Sequence, residues 1–79
     1  DTMTIKVKKF DKKVDGYQIK YSKNKNFKGA KTVNTKTAKT VIKGLNATKV
    51  YYVKVRKFVK SGNKKVYGNF SKSYKIIYA

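Results

Sequence analysis

Hydrophobic and polar residues alternate along most of this chain with a period of two. Such alternation is typical of β-strands that bury one face and expose the other. The apolar positions carry mainly valine, isoleucine and tyrosine, which favour strands, and no segment shows the spacing of an amphipathic helix. The pattern therefore predicts an all-β chain.

The apolar residues that share strand faces predict the hydrophobic core. We expect the core to be formed by Met3, Ile5, Val7, Tyr17, Ile19, Tyr21, Val33, Ile42, Leu45, Tyr51, Val53 and Val55. Tyr74 and Tyr78 are in phase with Ile76 in the last segment, so we expect both rings to be buried as well. The opposite strand faces are mostly lysine, and we expect them to face solvent.

Turn residues separate the strands at short intervals, as in a β-sandwich or a barrel. Glycine, asparagine and aspartate indicate turns at 15–16, 24–29, 44–46, 61–63 and 67–69. The segment 61–63 predicts a three-residue hairpin loop in which Gly62 or Asn63 adopts a positive φ. No linker interrupts the pattern, so we expect residues 1–79 to form one domain.

Composition excludes much catalytic chemistry. The 79 residues include 22 Lys and Arg against three acids, for a net charge of +19, and they include no Cys and no His. Disulfides, thiolate zinc sites and the commonest neutral-pH base are therefore absent. The acids, Asp1, Asp11 and Asp15, are too few for carboxylate catalysis. We expect a chain without catalytic residues, metal sites or cofactors.

The sequence shows no targeting or membrane segment. Its uncharged runs are far shorter than the roughly 18 apolar residues that a membrane span requires. The first residues also lack the apolar stretch of a signal peptide. Because the chain opens on Asp1 rather than Met, we expect a processed protein, a fragment or one module of a longer chain.

Five segments carry a resemblance to a known family. They are GYQIKYS at 16–22, KNFKGAKTV at 25–33, TVIKGL at 40–45, YYVKVRKF at 51–58 and KKVYGNFS at 64–71. In order and spacing they resemble a fibronectin type III domain of the Lys-rich kind found in surface and secreted proteins of Gram-positive bacteria. The resemblance implies an immunoglobulin-like β-sandwich.

Three residues receive structural roles through this resemblance. Leu45 and Tyr51 match the family's tyrosine corner, in which the Tyr hydroxyl bonds a backbone group upstream. Phe70 stands where the family usually has Trp.

The chain departs from the family in two places. Val7 takes the position of a core Trp, and the first strand, which should precede Met3, is missing. A strand at residues 2–9 would then have an open edge. We expect another copy of the chain, or a segment of a neighbouring module, to pair there by strand addition.

The lysine excess leaves two functional interpretations open. One takes the lysines as solvated strand residues of a spacer. The other takes Lys20, Tyr52, Lys54 and Arg56 as a face that binds cell-wall or host polyanions, with Tyr52 exposed beside the basic residues. Nucleic acid is less favoured, because only one arginine is present. A small basic OB-type barrel is the alternative fold.

By resemblance, the function is that of a non-catalytic structural or adhesive module. Such modules space out other domains or contact glycans, cell wall or proteins. The expected location is extracellular or at the cell surface.

Overall fold

A computed structural model of the protein describes residues 2–7, 11, 13–45 and 50–77. Within these residues all regular secondary structure is β, as the alternation predicts, and no helix is present. The strands are β1 (Met3–Lys6), β2 (Gly16–Ser22), β3 (Lys31–Thr35), β4 (Lys39–Ile42), β5 (Val50–Ser61), β6 (Lys64–Tyr67) and β7 (Tyr74–Ile77).

The strands form two antiparallel sheets. One contains β1 and β4, and the other has the order β3-β2-β5-β6, with β7 also paired to β5. β6 pairs with the end of β5 and β7 pairs with its beginning, so both lie on the same side of that long strand. The all-β prediction is confirmed, and the two sheets are consistent with a β-sandwich.

Both sheets contribute to one hydrophobic core. Its buried cluster consists of Met3, Ile19, Ile42, Leu45, Tyr51 and Val53. Val53 is only 2% exposed, which confirms the predicted strand phase of β5. Tyr17 is buried as predicted, while the other predicted core residues are half-buried: Ile5, Val7, Tyr21, Val33 and Val55.

Two aromatic residues depart from the predicted core. Tyr74 is 50% exposed, so its predicted burial is wrong. Tyr74 lines a groove beside β1 that is open to solvent, so its ring is only partly covered. Conversely, Phe58 is 3% exposed although its phase in β5 places it on the face opposite Val53. Tyr78 lies outside the described residues.

Gly16 explains how Phe58 is accommodated. The two residues are directly opposite each other in the β2–β5 pair. A Cβ atom built on Gly16 would come within 2.6 Å of the Phe58 ring and within 2.6 Å of the Thr35 carbonyl oxygen. Only glycine therefore leaves room for the Phe58 ring beside the backbone at this position.

The β5–β6 hairpin has a shorter loop than expected. Ser61 pairs with Lys64, which leaves two loop residues rather than three. Gly62 adopts a φ of 62°, as predicted, and Asn63 does not have a positive φ. A positive φ at the first of two loop residues is the pattern of a type II′ turn, which suits the twist of a hairpin.

The tyrosine corner is described in part. Leu45 and Tyr51 are both buried in the core cluster. Residues 46–49, which connect them, lie outside the described residues, so the hydroxyl bond expected of the corner stays a prediction. Residues 8 and 9 of the expected edge segment also lie outside, and the described strand there is Met3–Lys6.

Candidate functional site: a cation-aromatic face

The pairing of β2 with β5 brings the predicted binding residues to one face. The register places Gln18 opposite Arg56, Lys20 opposite Lys54, and Ser22 opposite Tyr52. Because side chains alternate along a strand, these residues share the face that points away from the core. The structure therefore places Lys20, Tyr52, Lys54 and Arg56 together, while their binding role stays a prediction.

Phe70 lies over the centre of this face. Its ring centroid is 5.7 Å from Lys20 Nζ, 4.7 Å from Lys54 Nζ and 4.4 Å from Arg56 Cζ. These distances fall within the range of cation–π attraction. One aromatic ring thus contacts three cations that come from two different strands.

The segment between β6 and β7 positions Phe70. Its backbone follows β5: the Gly68 N–H donates to the Lys57 carbonyl at 2.9 Å, and the Ser71 N–H donates to the Val55 carbonyl at 2.7 Å. The Ser71 hydroxyl accepts the Val55 N–H at 3.0 Å. These bonds hold segment 68–71 along β5, and Phe70 with it.

Two further rings extend the cluster. Tyr67 lies 3.9 Å from Arg56 Cζ, and Phe27 lies 4.4 Å from Lys54 Nζ. Phe27 adopts a φ of 61°, a left-handed conformation that is costly for a bulky residue. We call the set of Lys20, Phe27, Lys54, Arg56, Tyr67 and Phe70 the cation-aromatic face.

A buried amide orients the arginine. Arg56 Nε donates to Gln18 Oε1 at 2.8 Å, and Gln18 Nε2 donates to the Tyr67 hydroxyl at 3.5 Å. Gln18 is 8% exposed, so burial holds its side chain in one arrangement. The guanidinium group is therefore fixed between an amide and two rings.

The cations of this face have no carboxylate partner among the described residues. Lys20 and Lys54 are direct cross-strand neighbours, and like charges in that position repel. Asp11 pairs instead with Lys57, at 3.3 Å, and Asp15 accepts a hydrogen bond from the Lys60 N–H. The rings compensate part of the repulsion, and a bound anion would compensate more.

The carboxylate of Asp11 is stabilised elsewhere on the molecule. The Lys13 backbone N–H donates to it at 2.9 Å, and the Lys57 ammonium donates at 3.3 Å. These two bonds hold the pKa of Asp11 below its ordinary value. Asp11 therefore keeps its charge and its partner, and it does not neutralise the cation-aromatic face.

Tyr52 differs from its prediction. It is half-buried rather than exposed, and it lies at the end of the face, opposite Ser22. The Ser22 hydroxyl donates to the Lys28 carbonyl at 2.8 Å and accepts the Asn24 N–H at 3.0 Å. The loop after β2 is thus tied back at this end of the sheet.

The sequence missed two members of the face. Phe27 lies in a turn segment, and Tyr67 belongs to a short strand whose neighbours gave no apolar phase. Their contacts depend on pairings between distant parts of the chain. One sequence feature could have indicated these two members: several aromatic residues lie outside the alternation that predicts the core, and each is close in sequence to a lysine.

Comparison with known proteins finds no matching family model, no matching curated protein and no matching solved structure. In the part of the chain that the structure describes, no helix is long and apolar enough to cross a membrane. Among the same residues, no three acidic side chains cluster as metal ligands would. The described face presents ordered cations held against aromatic rings.

Proposed function

We propose that this chain is a non-catalytic module of the fibronectin type III kind, acting as a spacer or contact domain in an extracellular bacterial protein. The observation that carries the proposal is the strand order. In immunoglobulin-like sandwiches, strands B and E are neighbours in one sheet, and strands C, F and G form the other. With β1 counted as strand B, the β1–β4 pair and the β2-β5-β6 order follow this pattern.

The position of Tyr51 supports the same proposal. In this family the corner tyrosine lies near the start of strand F, after the turn from strand E. Tyr51 is the second residue of β5, and the chain reaches it from β4 through Leu45, which shares its core cluster. Phe70 also supports it, because the resemblance assigns a structural aromatic residue to that position.

A spacer or contact module must fold as one cooperative unit. In the spacer role, its excess positive charge alone does not bind polyanions tightly. We expect cooperative thermal unfolding of the 79-residue chain. We also expect its affinity for teichoic acid, heparin or DNA to collapse as salt approaches the physiological range, because diffuse binding rests on counterion release. Non-cooperative melting would contradict the module, and a tight complex that survives physiological salt would contradict the spacer role.

The cation-aromatic face favours a second candidate function, polyanion binding. Three cations are pre-positioned by rings and have no acidic partner among the described residues. Lys54→Gln and Lys39→Gln provide a matched test, because both remove one positive charge from a strand and Lys39 is exposed on β4, in the other sheet. If the cation-aromatic face binds polyanions specifically, only Lys54→Gln should weaken the binding of heparin or teichoic acid at physiological salt. Equal losses would indicate diffuse attraction.

A further inference from the structure

An apolar groove opens between the two sheets along β1. Its volume is about 760 Å³. β1 forms one wall of the groove. The other wall is formed by β5, by β7 and by segment 68–71, which lies between β6 and β7. The wall residues Ile5, Val55 and Ile76 pack against the core cluster but are only half-buried, and Tyr74 is largely exposed. The hydrophobic core is therefore open to solvent on this side.

The backbone of β1 has a free edge at this groove. β1 pairs with β4, and no other described strand lies beside it. The Val7 N–H donates to the Ala38 carbonyl at 2.8 Å, which fixes the phase of the ladder. Residues 3, 5 and 7 direct their backbone groups toward β4, so Thr4 and Lys6 direct theirs outward. This is the hydrogen-bonding pattern that an added strand requires.

The charges around the groove define its occupant. Lys6 and Lys75 contribute cations to its lining, and no carboxylate lies among the lining residues. Arg56 and Lys57 also border the groove, but Arg56 holds its guanidinium group on the cation-aromatic face, and Lys57 pairs with Asp11. A second copy of the chain brings a net charge of +19 and only three acids, so it would be repelled. A strand whose apolar side chains enter the groove and whose acidic side chains meet the lysines matches both features.

We propose that this groove binds an extended acidic segment of a partner protein, in which apolar residues alternate with Asp or Glu, as an added strand along β1. The proposal rests on the contact role given above and names its partner class. The partners expected for the edge at 2–9 are a second copy and a segment of a neighbouring module, and the net charge of +19 disfavours the second copy.

The test uses a fluorescent ten-residue peptide of alternating Val and Glu at physiological salt. Its matched control has the same composition with the five Glu and five Val in separate blocks. We expect the alternating peptide to bind at least about tenfold more tightly, a difference of about 1.4 kcal/mol. It should also protect the backbone N–H groups of Thr4 and Lys6 from hydrogen exchange.

A pair of variants separates strand addition from charge attraction. Lys6→Pro removes an outward N–H that β4 does not use, and proline is tolerated at such an edge position. Lys6→Gln removes the same charge but keeps the N–H. We expect Lys6→Pro to abolish peptide binding and Lys6→Gln to weaken it only slightly. If Lys6→Pro fails to fold, Tyr74→Asp, on the exposed wall of the groove, should repel the same peptide.

Three results would overturn the proposal. They are equal binding of the two peptides, binding that Lys6→Pro leaves unchanged, and concentration-dependent dimers that protect the Thr4 and Lys6 amides without any peptide. A chain that unfolds cooperatively but binds no peptide would refute the groove proposal and leave the spacer role intact. Non-cooperative unfolding would instead count against the module itself.

Discussion

The two faces of the five-stranded sheet are built in different ways. The inner face carries Ile19 and Val53, which pack under the β1–β4 pair in one apolar cluster. The outer face carries Lys20, Lys54 and Arg56. Aromatic rings cover these cations from the turn after β2, from β6 and from the β6–β7 connection. Burial of methyl groups stabilises the first face, and contacts between cations and rings order the second.

This difference shows that lysine-rich strand faces are not simply solvated. The outer face includes Phe58, which is as fully buried as the core, and Gln18, which holds the guanidinium group of Arg56. An outer layer therefore exists on a sheet whose sequence suggests a single core. The contribution of this outer layer to the free energy of unfolding can be measured by substitutions that change one face at a time.

The largest expected effect is that of Phe58→Ala. Truncation of a buried Phe typically costs about 3–5 kcal/mol, from lost transfer energy and from the cavity left behind. We expect a loss in this range, measured by urea unfolding, although Phe58 lies on the outer face. Val53→Ala on the inner face should cost less, about 1–3 kcal/mol. A loss below 1 kcal/mol for Phe58→Ala would mean that the outer layer does not stabilise the sheet.

Substitutions at Tyr51 and Tyr52 compare the two faces of the sheet at adjacent positions of β5. Tyr51→Phe removes a buried hydroxyl that the tyrosine corner would bond to the backbone, so we expect a loss of roughly 1–3 kcal/mol. Tyr52→Phe should change the free energy of unfolding very little, because its ring is half-buried on the outer face. Denaturant melts that show equal losses would reject the corner and, with it, part of the support for the family proposal.

Prediction from sequence succeeds where a local pattern decides the structure. Alternation correctly predicts the all-β fold and the burial of Ile19 and Val53. It fails for Tyr74, which lines an open groove, and for Phe58, whose ring packs against Gly16 across the strand pair. The face itself could be anticipated through its strand residues, but not its covering rings, because those contacts join segments far apart in sequence.

Phe70→Leu tests whether the ring, rather than its bulk, orders the outer face. Leucine keeps an apolar side chain but removes the electron-rich surface that contacts Lys54 and Arg56. A cation–π contact at a partly exposed site contributes about 0.5–1 kcal/mol, and these contacts share one ring, so we expect a total loss of about 1 kcal/mol. Tyr74→Leu is the control, because among the described residues that exposed ring makes one cation–π contact, with Lys72 at 5.5 Å. Equal losses would show that the ring contributes only apolar area.

The smallest expected effect concerns the place where the inner face ends. Lys57 follows Val53 and Val55 in phase, but it is exposed and pairs with Asp11. The Lys13 N–H and the Lys57 ammonium lower the pKa of Asp11 in the folded protein below its ordinary 3.8. A lowered pKa stabilises the fold above the unfolded value, and this contribution disappears as the pH falls through the folded pKa.

We therefore expect Asp11→Asn to lower the melting temperature slightly at pH 6, and the difference from the unmodified chain to shrink as the pH falls toward 2. Lys57→Gln should reduce that pH dependence without abolishing it, because the bond from the Lys13 N–H remains. The measurement is thermal unfolding of the three proteins at both pH values. A difference of the same size at both pH values would show that Asp11 acts through its shape or its neutral hydrogen bonds rather than its charge. The end of the inner face would then not be held by an ion pair.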